Sequence, residues 1–92
     1  MLRQIARVIE SAHAAGKWVG LCGELAGKPE GIPVLLGLGL DEFSMSASSV
    51  PGAKALLARL SVPEAQKLAQ RVLNLPDTAA VKTAVKTFVE TL

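Results

Sequence analysis

Aromatic side chains are almost missing from this chain, which holds Trp18, Phe43 and Phe88 and no tyrosine. Nucleic-acid readers commonly join a basic stripe to stacking aromatics. The formal charge here is only +2 and comes from dispersed lysines and arginines, so nucleic acid is not expected as a partner. Lys67, Arg71, Lys82 and Lys86 read as solvated helix faces. Cysteine is limited to Cys22, which rules out an internal disulfide and fits a reducing, cytoplasmic setting. Histidine is limited to His13, and no Cys/His cluster has metal-ligand spacing. Long hydrophobic runs are absent too. The longest, Ile32 to Leu40, contains Pro33, Gly37 and Gly39 and is too short to span a bilayer, so no membrane is expected. Residues Met1 to Arg7 lack the apolar core of a secretion signal.

What the chain does have is Ala, Leu and Val. Half of its 92 residues are apolar, a composition suited to closely packed helices and buried parallel strands. Leu2, Ile5, Ile9, Ala12 and His13 share one helical face, and Gly16 follows where that helix would stop. Lys17 to Cys22 reads as a short strand. The spacing predicts a second helix over about Pro29 to Leu38, ended by Gly37 and Gly39, with Pro33 tolerable only within its first turn. Glu42 to Ser46 reads as another strand, Phe43 and Met45 alternating with Ser44 and Ser46. Ser49-Val50-Pro51 opens a third helix carrying Leu56, Leu57 and Leu60. Ser61-Val62-Pro63-Glu64 has capping-box spacing, and Val62, Ala65, Leu68, Ala69 and Val72 then line one face. Leu75-Pro76-Asp77 breaks that helix, and a last one runs from about Thr78 to Leu92 with Val81, Ala84, Val85, Phe88, Val89 and Leu92 as its stripe.

Strands separated by helices imply parallel neighbours joined by a crossover. Two strands make no stable sheet alone, and parallel sheets need both faces covered. The expected class is therefore α/β and mostly helical, an incomplete piece of a (β/α)₈ barrel. Residues 1–92 hold its last two strand–helix units followed by C-terminal helices; a whole barrel takes about 250 residues.

Chemistry points to Gly20-Leu21-Cys22-Gly23-Glu24. A thiol and a carboxylate follow a strand's carboxyl end, where α/β folds place their sites, and the glycines allow close approach. A lone cysteine is also a common small core residue. Glu24 suits a base, an orienting group or a rim partner for a lysine. His13, near a helix C-terminus among Ala12, Ala14 and Ala15, has a structural explanation in the macrodipole, which favours imidazolium there. Gly37-Leu38-Gly39-Leu40 is a helix exit, the reverse of a phosphate-binding turn. Ser44, Ser46, Ser48 and Ser49 lack a histidine on a recognisable elbow.

Gly16-Lys17-Trp18-Val19-Gly20-Leu21-Cys22-Gly23-Glu24-Leu25-Ala26-Gly27 resembles a motif of Enzyme I of the bacterial sugar phosphotransferase system, the phosphoenolpyruvate–protein phosphotransferases. The likeness continues through Leu35 to Ala47 and into Val50-Pro51. Pyruvate phosphate dikinase and phosphoenolpyruvate synthase are similar but more distant, and Glu42-Phe43-Ser44-Met45-Ser46-Ala47 favours the Enzyme I branch. The resemblance implies an enzyme that moves a phosphoryl group from phosphoenolpyruvate to its own histidine, then to an HPr-type phosphocarrier for sugar uptake. The family is homodimeric, and its barrel binds phosphoenolpyruvate and Mg²⁺. Cys22 occupies the place of the cysteine that protonates the enolate to give pyruvate; an ordinary thiol, protonated at neutral pH, suits that task. The family's substrate-binding arginines, its acidic pair and its metal-binding asparagine match nothing here, so no substrate or metal ligand is assigned. The phosphohistidine region is unmatched as well, so His13 inherits no role. Because the family continues upstream of Met1, the chain reads as a fragment expected to be inactive alone. The alternative is a non-catalytic helical interaction or regulatory module derived from that barrel.

Overall fold

The spacing of Leu2, Ile5 and Ile9 makes the first helix amphipathic. In the computed structural model, which describes residues 2–22 and 24–92, this helix (α1) spans Leu2–Ala14. Ile9 is buried on the stripe, while Val8, off it, is largely exposed. Gly16 has a positive φ of 74°. Its amide donates to the His13 carbonyl and the Lys17 amide to that of Ala12, the crossed pair of a Schellman ending, for which glycine is the low-strain choice.

The chain continues with strand β1 (Gly20–Cys22), helices α2 (Glu24–Gly27) and α3 (Ile32–Gly37), and strand β2 (Glu42–Ser44). A 3₁₀ turn (Ala47–Ser49) leads into α4 (Val50–Arg59), then α5 (Val62–Leu73) and α6 (Thr78–Glu90). The structure is mostly helical around one two-stranded sheet. As expected, the strands are parallel, with Gly20 opposite Glu42, Leu21 opposite Phe43 and Cys22 opposite Ser44. Both strands are shorter than the sequence suggests. Regular pairing covers three residues on each strand, and Ser46 bonds to the Ser49 amide in the 3₁₀ turn instead of extending β2.

The helix expected from Pro29 begins at Ile32 instead. The Gly31 and Ile32 amides both donate to the Lys28 carbonyl, forming a turn. Pro33 then falls in the helix's first turn; a start at Pro29 would put it in the interior, where its ring and missing N–H break the ladder. The two glycines at the other end have different jobs. Gly39 (φ 95°) is the stop, with its amide bonded to the Leu36 carbonyl and the Leu40 amide to that of Leu35. Gly37 is a packing residue. A Cβ there would fall on the Ala65 carbonyl oxygen, 2.5 Å from the Ala65 carbonyl carbon and 2.9 Å from Ala69 Cβ. Its missing side chain lets α3 lie directly on α5.

A short helix that is apolar all round must be buried all round, and α3 is the hub. Ile32 packs with Ala53 and Leu56 of α4. Val34 packs with Leu68, Ala69 and Val72 of α5 and Val85 of α6. Leu35 joins Ile9 of α1 and Leu40 beneath the sheet, with Leu21 and Phe43 against them. The α5 stripe is as expected except for Val62, at the first helical position, which is half exposed.

Side chains close the helix ends. Ser61 Oγ accepts from the Glu64 amide at 3.3 Å, and Asp77 Oδ1 from the Ala80 amide at 2.8 Å. Arg3 of α1 donates through Nε and Nη2 to the Leu73 carbonyl at the end of α5. Arg59 Nη2 reaches the Leu92 carbonyl at 2.7 Å. Among the described residues no helix is long and apolar enough to cross a membrane.

Candidate functional site

The two ends of the strand pair differ in chemistry. At the amino end, Asp41 precedes β2 and holds three segments together. Its Oδ2 accepts from His13 Nε2 at 2.7 Å and from the Val19 amide at 2.8 Å, and its own amide donates to the Val19 carbonyl. Asp41 is held below its ordinary carboxyl value of 3.8, first by the His13 hydrogen bond and then by the Val19 amide. His13 thus joins the end of α1 to the start of the sheet.

At the carboxyl end, Cys22 and Ser44 are register partners, and the thiol is exposed. Beyond Ser44, the chain turns through Met45 and Ser46 into the 3₁₀ turn. Ser46 Oγ lies 3.3 Å from Ser48 Oγ and 3.2 Å from Ser49 Oγ, and Ser44 Oγ donates to Glu42 Oε1 at 3.0 Å. An open depression of about 700 Å³ lies here, lined by Cys22, Lys28, Ser44, Ser46 and Ser49 with Gly27 and Met45 between them. Gly27 draws its far wall in. A Cβ on Gly27 would stand 3.2 Å from Met45 Cβ and 3.3 Å from Ser49 Cβ, so a side chain there would press the turn after β2 away from the end of α2 by a few tenths of an ångström.

The sequence places Cys22 correctly at a strand end but does not reveal Lys28 beside it. Ser44, Ser46 and Ser49, unpromising as nucleophiles, are wall residues of the same depression. The available signal is the parallel pairing, since residues just past two parallel strands share the carboxyl edge. Gly23 and the Glu24 side chain lie outside the described residues. Among the described residues no three His, Cys, Asp or Glu stand together as a metal site. A thiol and hydroxyls also make a poor donor set for Mg²⁺, which favours carboxylates and water. The described residues do not fit that ion.

Parallel strands, each followed by helix, with polar groups gathered at their carboxyl end, define an α/β enzyme-type unit. Comparison with known proteins narrows the class. The model for "PEP-utilising enzyme, PEP-binding domain" matches residues 1–62, and the chain belongs to this family of phosphoenolpyruvate-utilising enzymes. Its relatives include the phosphoenolpyruvate-protein phosphotransferase of Bacillus subtilis (strain 168), 51% identical over 86 residues, covering 94% of this chain and 15% of the relative. That of Geobacillus stearothermophilus is 52% identical over 86 residues, with the same coverage. That of Buchnera aphidicola is 46% identical over 89 residues, covering 97% of this chain and 16% of the relative. The chain thus spans about 15% of the length of these relatives.

Proposed function

We propose that this chain supplies the proton-donor wall of a phosphoenolpyruvate–protein phosphotransferase, with Cys22 as the acid. The observation that carries the reading is an exposed thiol at the carboxyl end of a parallel strand, facing an open depression. When the P–O bond of phosphoenolpyruvate breaks and an N–P bond forms on an enzyme histidine, the enolate of pyruvate remains. Cys22 gives its S–H proton to the methylene carbon, and solvent returns a proton to the sulfur. A positioned acid of this kind contributes about 10²–10⁴ in rate.

In the same reading, residues 1–92 form the last two strand–helix units of a (β/α)₈ barrel. Supporting this, the sheet has two parallel strands with no third pairing partner among the described residues, fewer than the sheets of whole α/β domains usually hold. The phosphate and carboxylate ligands, any Mg²⁺ ligands, the phosphohistidine and the surface for an HPr-type carrier belong to other parts of the homodimeric, cytoplasmic enzyme. The isolated chain therefore produces no pyruvate from phosphoenolpyruvate and Mg²⁺.

The test uses a phosphotransferase carrying this segment. Cys22→Ala should lower pyruvate formation by about 10²–10⁴, with the fold retained because the thiol is exposed. Full turnover in that variant, or pyruvate release by the isolated chain that is lost with Cys22→Ala, sinks the reading.

A further inference from the structure

The strand pair has a covered face and an open one. Leu21 and Phe43 pack with Ile9, Leu35 and Leu40. Side chains alternate along a strand, so Gly20 and Cys22 of β1 share the other face with Glu42 and Ser44 of β2. On that face Gly20, Cys22 and Glu42 are exposed. Trp18, just before β1, is 69% exposed.

Gly20 makes a notch in this open face. A Cβ there would stand 3.5 Å from Trp18 Cζ3 and 3.5 Å from Glu42 Oε1. An indole edge and a carboxylate oxygen therefore border one point that no side chain fills. Glu42 Oε1 accepts from Ser44 Oγ at 3.0 Å, and Glu42 has no ion pair among the described residues. While the face is wet, solvent satisfies the charge. Parallel sheets of α/β proteins, however, are covered on both faces, and a carboxylate removed from water needs an opposite charge beside it. A guanidinium suits both walls of the notch, because it bonds a carboxylate through its N–H groups and stacks on an aromatic ring.

We infer that Trp18, Gly20 and Glu42 form a docking notch for an arginine side chain, supplied by the segment that covers this face of the sheet. That the segment is one of the remaining strands of a barrel rests on the reading given above; the notch itself does not. Gly20 precedes Cys22 on the same strand and face, so an arginine held there also fixes the strand that carries the thiol.

The test compares the isolated chain with a phosphotransferase carrying this segment, each followed by thermal unfolding. Gly20→Ala fills the notch with a methyl at ordinary contact distances. It should leave the isolated chain at least as stable as before and lower the melting temperature of the enzyme by about 2–10 °C. Glu42→Gln keeps the shape and removes only the charge. It should be neutral in the isolated chain, where Glu42 is exposed, and lower the melting temperature of the enzyme by about 5–15 °C. A covered carboxylate with no cation beside it would gain from the same change, so an enzyme that holds or raises its melting temperature with Glu42→Gln overturns the inference. Acrylamide quenching, in an enzyme whose one tryptophan is Trp18, separates the two levels. Trp18 as accessible there as in the isolated chain means that nothing covers the face, and overturns the barrel reading and the inference together. A protected Trp18 with Glu42→Gln or Gly20→Ala as stable as wild type overturns the inference alone.

Discussion

Gly37→Ala should unfold this chain more readily than any propensity scale suggests. Alanine in a helix is favoured over glycine by about 0.5–1 kcal/mol, so local reasoning predicts stabilisation. The packing predicts the reverse. The added methyl would overlap the Ala65 carbonyl group and press on Ala69 Cβ at 2.9 Å. Its first obstacle is backbone, in the first turn of α5, whose Ala65, Leu68 and Ala69 are buried, so no side chain can swing aside. Relief requires α5 to part from α3, opening the cluster of Val34, Leu68, Ala69, Val72 and Val85. Overpacking of well-ordered cores costs about 1–3 kcal/mol and sometimes more; with rigid backbone as the obstacle the upper end applies, leaving a net loss of about 2 kcal/mol after the helical gain. A domain of this size is stabilised by about 5–14 kcal/mol at most. With a urea m-value of about 1–3 kcal/mol/M, the midpoint should fall by about 0.7–2 M. Gly52→Ala is the internal control. Gly52 also lies in a helix, yet a Cβ there meets nothing within 4 Å, so the same substitution should raise the midpoint slightly. Equal shifts for the two variants, or a Gly37→Ala chain as stable as wild type, would refute the account.

Two further outcomes follow from the side-chain bonds. Asp41 has a folded-state pKa below its ordinary 3.8, so its ionised form stabilises the fold. That contribution is complete above the unfolded value and is lost as pH falls below 3.8 through the folded one. Acid titration followed by circular dichroism should show this loss in the wild type and a flatter profile in Asp41→Asn; identical profiles would remove Asp41 from the account. Asp77→Ala deletes a cap bond of 2.8 Å and should cost about 1 kcal/mol in urea unfolding, more than Ser61→Ala with its longer 3.3 Å bond; the reverse order would mean that cap geometry does not set the cost.

What could be read from the sequence was whatever is periodic or local. The stripes of α1, α5 and α6 repeat over three or more turns, and burial follows them at Ile9, Leu68, Val72 and Val85. The parallel pairing follows from a helix between two strands too far apart for a hairpin. Pro33 even contained the correct helix start, since its own requirement for a first-turn position excluded Pro29. What was hidden depends on contacts across the chain. His13 and Asp41 are 28 positions apart, and neither lies in a pattern naming the other. Gly37 looks like a helix stop until α5 is laid against it. Lys28, Ser46 and Ser49 look like ordinary surface residues until the register aligns the ends of β1 and β2.

These hidden contacts give the two ends of the strand pair opposite constraints. At the amino end Asp41 joins α1, β1 and β2 through hydrogen bonds to fixed partners, and removing it loosens all three. The carboxyl end instead combines exposed Cys22 with hydroxyls and with a glycine that lets two walls approach, an arrangement able to accept a ligand. The hub helix connects the ends. Leu35 packs toward the sheet and Ile32 toward α4, while the turn before Ile32 anchors Lys28. Displacing α3 therefore moves a wall of the Cys22 depression without touching any residue that lines it. Substitutions at buried Ile32 or Val34 that spare folding should on this reasoning alter the site more than exposed substitutions nearer to it, because rigid packing transmits displacement whereas a solvated surface absorbs it.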